Sequence, residues 1–499
     1  MRSSWTYDAT SGPGGKPALG LASSSTRIQD GYTNTTKVDA YDAAYRPTST
    51  TTVLPDKLPG LTGLVERQFT TSYEYRLDGS VRQQVLPGVT ATDDDAATAD
   101  ALVLGAEHVT TFYDDAGMPV WMGGGFGWGT YVADSQFTAD GKPLAMDLGN
   151  TYGAVVTYNW NYSTGRLNGI RLDRERFSGR DVDMAYTYDD AGNVLSISDK
   201  PVVGDGASPR ANDDTQCFDV NGLGRLIGAW TEADGTCAAS INAVMPADVG
   251  TPGNSAAPYW HEYTYDAVGN RTSLTKHVLD GGTNVVRTNY QHAGGGAGPH
   301  QVTSMTQQTG PSATIDSAPR KTVAGFTYDA AGNQTTRNFS EPVDTSNPGQ
   351  VEDDLDGDGA VETTQLLGWD GEGELATVAT SGEGTEGENT TEAGEASYVY
   401  SAEGERITRT DASGTTVYLP GAQEVHVDPA GAVATTRYYS FAGQTVAVRN
   451  GRGLGGVTSL VCDQQGTPVA SVTANMIGFG RGISKTGNTV WRTMTRRVE

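Results

Sequence analysis

No stretch of this sequence is apolar for long enough to cross a bilayer as a helix, and none carries the sustained 3.6-residue apolar period of a long amphipathic helix. Only 36% of the 499 residues are hydrophobic, and they alternate with polar positions instead of forming thick aliphatic blocks. Thirty-four basic residues against sixty acidic ones leave a net charge of −26. That balance excludes nucleic acid and anionic membrane surfaces as expected partners, since both need concentrated Lys and Arg. An acidic, solubilising surface accounts for it, and an acidic cavity wall is the other option. The first residues, Met1-Arg2-Ser3-Ser4-Trp5, lack the apolar core of a signal peptide and lead at once into Tyr7-Asp8. The chain therefore reads as a piece of something longer, with any export signal on sequence outside it.

Catalytic signatures are missing as well. The six histidines are scattered without metal-ligand spacing, and there is no Gly-x-Ser-x-Gly elbow or Cys/His nucleophile arrangement. Gly123 to Gly129 is rich in glycine but lacks the Lys-Ser/Thr of a phosphate loop and opens no helix, so it reads as a bulge between strands. The expectation is a protein that is not an enzyme and carries no cofactor. Of the three cysteines, Cys217 and Cys237 flank one hairpin and can form a disulfide. A loop of that length would stabilise by about 3 kcal/mol and imply an oxidising compartment. Two unrelated thiols are the alternative, and Cys462 reads as a small buried residue.

What the sequence does have is a recurring phrase: an aromatic residue, Asp, two variable residues, Gly and a polar residue. Its clearest copies are Tyr188-Asp189-Asp190-Ala191-Gly192-Asn193, Tyr265-Asp266-Ala267-Val268-Gly269-Asn270 and Tyr328-Asp329-Ala330-Ala331-Gly332-Asn333. Aromatics two residues apart, as in Tyr186/Tyr188, Tyr263/Tyr265 and Phe326/Tyr328, put both rings on one face of a strand. Asp can accept backbone N–H groups within the turn, and Gly supplies the positive φ that closes it. Each copy is thus strand, tight turn, strand. Degenerate copies extend the pattern to Tyr7-Asp8, Tyr41-Asp42, Tyr113-Asp114, Phe218-Asp219, Trp369-Asp370 and Tyr400-Ser401.

Unequal spacing indicates hairpins with loops of different lengths rather than equal propeller blades. Residues 1–110 hold divergent copies, and 111–345 the clearest ones. Residues 346–400 form an acidic insert with one degenerate repeat, 401–474 a last run of strands, and 475–499 a basic tail without the phrase. The Gly/Ala-rich inserts around 200 to 215, 238 to 258 and 292 to 299 read as projecting loops, and 380 to 397 as a mobile segment.

At these residues the chain resembles the bacterial YD-repeat proteins of the rearrangement-hot-spot (Rhs) family, related to wall-associated toxins, toxin-complex subunits and teneurins. The resemblance extends to Gly298-Pro299-His300-Gln301-Val302-Thr303-Ser304, to the run from Arg437-Tyr438-Tyr439 through Arg449, and to Ser459-Leu460-Val461-Cys462-Asp463-Gln464-Gln465-Gly466-Thr467. It implies an all-β fold in which a long antiparallel strip spirals into a hollow shell, here an incomplete one. It also implies a secreted or cell-surface polymorphic toxin whose shell encloses a C-terminal effector, with an immunity protein as a further partner. The family's self-cleaving core does not follow Thr467, and Asp428-Pro429 comes too early, so no cleavage residue carries over. A surface adhesin that stacks glycans on Trp121, Trp128 or Trp160 is the alternative function.

One loop suggests a metal. In Asp354-Leu355-Asp356-Gly357-Asp358-Gly359-Ala360-Val361-Glu362, carboxylates alternate and Gly is sixth in the loop's ligand order. Asp354, Asp356, Asp358 and Glu362 would be the calcium ligands, although Gln365 stands where a bidentate Glu would close the shell. A solvated acidic loop is the competing account. Calorimetric titration separates the two: a calcium site gives saturable heat by millimolar calcium, and a flat thermogram eliminates it.

Overall fold

The computed structural model describes residues 2–494 apart from 11, 13–15, 17, 30, 93–101, 150–152, 176–177, 204–212, 252–257, 341–362, 383–393, 474–478 and 486–487. The candidate calcium ligands Asp354, Asp356, Asp358 and Glu362 lie outside the described residues. The chain forms one open 34-stranded sheet, with a separate two-residue pair of strands at Gly179–Arg180 and Val202–Val203. Every pairing in the large sheet is antiparallel and joins neighbours in chain order, from Arg2–Tyr7 to Asn488–Met494. The protein is therefore a single β-meander strip. The basic tail continues it: Phe479–Lys485 pairs with Val472 and its neighbours, then with Asn488–Met494.

Strict neighbour pairing puts successive connections on alternate edges. One edge carries the tight turns, at 42–46, 76–80, 114–118, 189–193, 221–225, 266–270, 329–333, 370–374, 401–405 and 463–467. The other carries the connections of variable length, including 54–67, 232–259 and the one between Phe339 and Thr363. Apart from the connection between Tyr7 and Ala22, which lies on the tight-turn edge, the long connections fall on one margin of the strip.

The turn is built as its residues require. Asp189 N–H donates to Asn193 O at 3.0 Å and Gly192 N–H to Asp189 O at 3.1 Å, with Gly192 at φ +101°. Asp189 Oδ1 accepts from Gly192 and Asn193 N–H, and Oδ2 from Asn193 Nδ2. Asp266 and Asp329 repeat this geometry, with Gly269 and Gly332 at φ +96° and +92°. The bond from the Asn193 side chain, the largest influence on Asp189, holds that carboxyl below its ordinary range.

The aromatic residue ties hairpin to hairpin. Tyr188 Oη donates to Leu167 O at 2.7 Å, Tyr265 to Leu226 O at 2.8 Å and Tyr328 to Val302 O at 2.8 Å. Tyr41, Tyr75, Tyr113 and Tyr400 do the same to Ala22, Pro47, Val81 and Leu375, and the indoles of Trp160 and Trp369 reach Pro143 and Gln334. A cation leaving one turn covers the ring of the next: Arg46 over Tyr75, Arg76 over Tyr113, Arg166 over Tyr188 and Arg225 over Tyr265, at 4.6 to 5.6 Å. On the opposite face, the Thr187–Ser196, Thr264–Ser273 and Thr327–Thr335 hydroxyls pair across strands.

Several expectations change. The degenerate copy at Phe218-Asp219 is displaced by two residues: the turn runs from Asn221 to Arg225, and Val220 holds the aromatic slot. Asp8 pairs with Leu21 across a longer connection and makes no tight turn. Residues 238 to 250 do not project as a polar loop; Ile241, Val244 and Val249 pack onto Cys217, Trp230 and Trp260. The Cys217–Cys237 disulfide is present and pins that segment to the strip. Residues 292 to 294 and 297 to 299 belong to a hairpin, and 380 to 382 and 394 to 397 to strands. Cys462 is buried, and burial pushes its thiol up to about 11.

In the turn after Tyr41, Tyr45 occupies the glycine position at φ +61° while remaining 60% exposed. A left-handed conformation costs a side chain about 1–2 kcal/mol, part of which Gly returns as chain entropy. Tyr45→Gly should therefore stabilise the protein by about 0.5–1 kcal/mol in urea denaturation; a destabilised variant would show that the ring contributes more than its backbone strain costs.

Candidate functional site at the seam

The strip winds until it meets itself. Arg27 bonds to Ser401 O, Gln29 to Tyr398 O, Gln423 to Pro87 O, Tyr158 to Gln444 and Tyr188 to Gln464. Partners 276 to 374 residues apart in sequence thus lie side by side, in the same order on both passes. The aromatic face of the first pass is covered by the second, in two apolar clusters. One joins Leu54, Leu61 and Phe69 to Val417, Val425 and Val433; the other joins Tyr131, Ile170 and Tyr186 to Tyr439, Phe441 and Val461. Where the passes overlap, strands alternate between buried and open positions, as in Val433–Phe441. Gln334–Phe339, by contrast, has no fully buried residue, so the strip is a single layer there.

A charged network sits inside the seam. Glu107 and Arg437 are both fully buried, with Arg437 Nη1 3.1 Å from Glu107 Oε2. Tyr439 Oη donates to Glu107 Oε2 at 2.7 Å, and Tyr131 Oη donates to Oε1 at 2.5 Å. Arg437 also donates to Gln423, Pro87 O and Gly105 O. Arg449 reaches Tyr131 Oη at 3.2 Å and the Trp128 carbonyl, and the Trp128 ring lies between the two guanidinium groups at 5.2 and 5.1 Å. Burial, then the neighbouring Glu107 charge, push the Tyr131 and Tyr439 phenols far above their ordinary value, so both remain hydrogen-bond donors. A second ionic contact joins Arg27 to Asp370 and Glu372.

These contacts account for two of the quoted phrases. Arg437, Tyr439 and Arg449 are buried polar-tipped residues of the Arg437-to-Arg449 run and converge on Glu107 or its partners, while Phe441, Val446 and Ala447 of the same run join the apolar cluster. The His300 phrase splices two turns across a hairpin that lacks its own: His300 Nδ1 meets Asn270 Oδ1, Asn270 Nδ2 donates to Pro299 O, and Gln301 Nε2 donates to Gly332 O. Glu107 itself escaped sequence reasoning, because Arg437 and Tyr439, its partners on the second pass, lie more than 300 residues away. Nor does the structure bring the three tryptophans together. Trp128 is held between arginines, Trp160 bonds to Pro143 O, and Trp121 packs on Phe112 at 5.1 Å.

A wound meander of tyrosine-locked hairpins, overlapping itself at a buried seam, has the architecture of a β-shell strip. Among solved structures, the TcdB2-TccC3 crystal structure superimposes with a TM-score of 0.58 at 17% identity, over 96% of this chain and 23% of that one. A Photorhabdus luminescens Tc holotoxin pore structure gives 0.60 at 16% identity, over 98% and 23%. These likenesses show the fold. In sequence, toxin subunit YenC1 of Yersinia entomophaga is 30% identical over 172 residues, 32% of this chain and 16% of that protein. This chain spans less than a quarter of each relative's length. No protein-family model matches it.

Removing one partner of a buried ion pair leaves the other charge uncompensated, at about 3–5 kcal/mol. Glu107→Gln keeps the shape and should lower unfolding free energy by about 3 kcal/mol. A loss below about 1 kcal/mol in urea titration would show that the apolar clusters hold the seam unaided.

Proposed function

We propose that this chain is a non-enzymatic structural piece, the shell-forming segment of a secreted or cell-surface polymorphic toxin, and that the shell encloses a C-terminal effector carried by the parent protein. An immunity protein in the producing cell is the partner such an effector requires. The observation that carries the proposal is the stretch of aromatic face that no second pass covers among the described residues. From Tyr265 to Gln334 it lines a hollow of about 540 Å3 with Tyr290, Phe326 and Tyr328, all half-buried and facing the same way as the residues buried at the seam. An aromatic wall left open on the inner side of a wound strip is a surface for enclosing something. The toxin shells that share the fold support the same conclusion.

Solution scattering tests the shape. A solid globule of this length has a radius of gyration of about 23 Å. A wound, hollow strip gives a clearly larger value, with particle images showing a curved wall around a depleted centre. A value near that of the solid globule with a filled image would refute the shell.

A further inference from the structure

On the face where hydroxyls otherwise pair, one row of side chains is apolar and covered. Cys217 pairs with Trp230 and Trp230 with Trp260, and Trp260 alternates to the same side as Thr264. Both indoles are buried, at 1% and 8% exposure, and the Trp260 ring stacks on His277 at 3.5 Å. They are covered by the connection that follows Thr231, whose Ile241, Val244 and Val249 form one cluster with Cys217 and the two tryptophans. Gly228 is the seat for Ile241, since a Cβ at Gly228 would come within 2.5 Å of that side chain. The Cys217–Cys237 bond joins the strip to this flap.

The flap's other attachments are modest. They include the three aliphatic side chains, the Ile241 N–H bond to Asp219 Oδ2 at 2.8 Å and the Gly250 N–H bond to Thr231 O at 2.8 Å. Against them stand two costs of the covered state. The Trp260 Nε1–H is buried with no hydrogen-bond partner among the described residues. Glu232 is buried at the base of the flap, and burial above all pushes its carboxyl above the ordinary range; the Trp230 indole N–H opposes this, while Asp234 and Asp248 add to it. The joint beneath is short. Leu226–Thr231 and Trp260–Tyr265 pair through Gly228–Glu262, Ala229–His261 and Trp230–Trp260.

We infer that the Cys217–Cys237 bond is a thiol-operated latch, whose reduction releases residues 237–249 from the strip and uncovers the Trp230–Trp260 row. Cys217 is fully buried and Cys237 half-buried, so an incoming low-molecular-weight thiolate meets the Cys237 sulfur. A mixed disulfide forms there, and the Cys217 sulfur leaves with the bonding electron pair and takes up a proton. A second thiolate attacks the reagent's sulfur in the mixed disulfide, which frees Cys237 as a thiol and releases the reagent as its own disulfide. Two reagent thiols are thus oxidised for the one bond reduced. Cys462, buried on another strand with its thiol on Thr445 O, takes no part. The flap then lifts, Trp260 Nε1 and Glu232 reach water, and the wall loosens at its short joint while the Tyr265-to-Leu226 bond keeps the register. The latch belongs to the wall itself and does not depend on what the shell encloses.

Hydrogen exchange read by mass spectrometry on the full chain, before and after incubation with about 5 mM reduced glutathione under native conditions, is the test. The bond should be reduced, and amide exchange over residues 237–250 should rise about ten-fold or more. Exchange over Val433–Phe441, in the seam, should stay unchanged. The Cys217→Ser/Cys237→Ser double variant should exchange in the flap as the reduced chain does, with or without glutathione. Because the native chain is read in both redox states, the outcome does not hang on the variant folding. The inference is overturned if glutathione leaves the bond intact, or if complete reduction raises exchange over 237–250 less than about two-fold. Loss of protection at the seam as well would also overturn it, since the bond would then be a staple of the whole fold.

Discussion

The tyrosine hydroxyl that crosses from one hairpin to the previous one is the contact on which the rest of the strip depends. A single two-stranded hairpin is marginal in water, and its turn fixes only its own register. The next hairpin arrives through a connection on the opposite edge, which can be as short as the one between Gln29 and Tyr32 or as long as the one between Thr231 and Trp260. Such connections cannot set register. The Tyr265-to-Leu226 bond does so across one of the longest, and eight other Tyr or Trp side chains repeat the arrangement along the strip. With register carried by a side chain on the tight edge, the variable edge is free to accept insertions.

Winding is a separate problem with a separate solution. The two apolar clusters of the seam favour overlap of the passes, but hydrophobic contact alone tolerates sliding by a strand. Glu107, Arg437 and Arg449 do not tolerate it, because each guanidinium would lose several fixed acceptors at once. A buried ionic network is weak evidence for stability, and its best-attested use is to fix registry. Here it fixes which hairpin of the second pass lies over which of the first.

The local half of this architecture was legible in the sequence. Alternating aromatics, Asp acceptors and turn glycines announced hairpins, and the spacing of Cys217 and Cys237 around one of them allowed the bond that is present. Misreadings came where two local signals competed. Phe218-Asp219 looked like the phrase, yet Asn221 with Gly224 has the better turn chemistry, and Asp219 instead accepts Ile241 N–H. The segment after Thr236 looked too poor in apolar residues to pack, but a disulfide and two tryptophans need only Ile241, Val244 and Val249 to form a small cluster. The seam was illegible because its contacts join residues hundreds of positions apart.

The two faces of the strip divide the work. The aromatic face is used up wherever the passes overlap, and between Tyr265 and Gln334 it lines a hollow of about 540 Å3 instead. Anything the assembled wall recognises from outside must therefore be met by the hydroxyl face, whose paired threonines and serines already satisfy one another and leave little to offer a ligand. The bulge beside each tight turn belongs to that regularity: the register shifts between Asn159 and Trp160 as it does between Thr187 and Tyr188, Thr264 and Tyr265, and Thr327 and Tyr328, which keeps the turn aromatic on one face and the hydroxyls on the other.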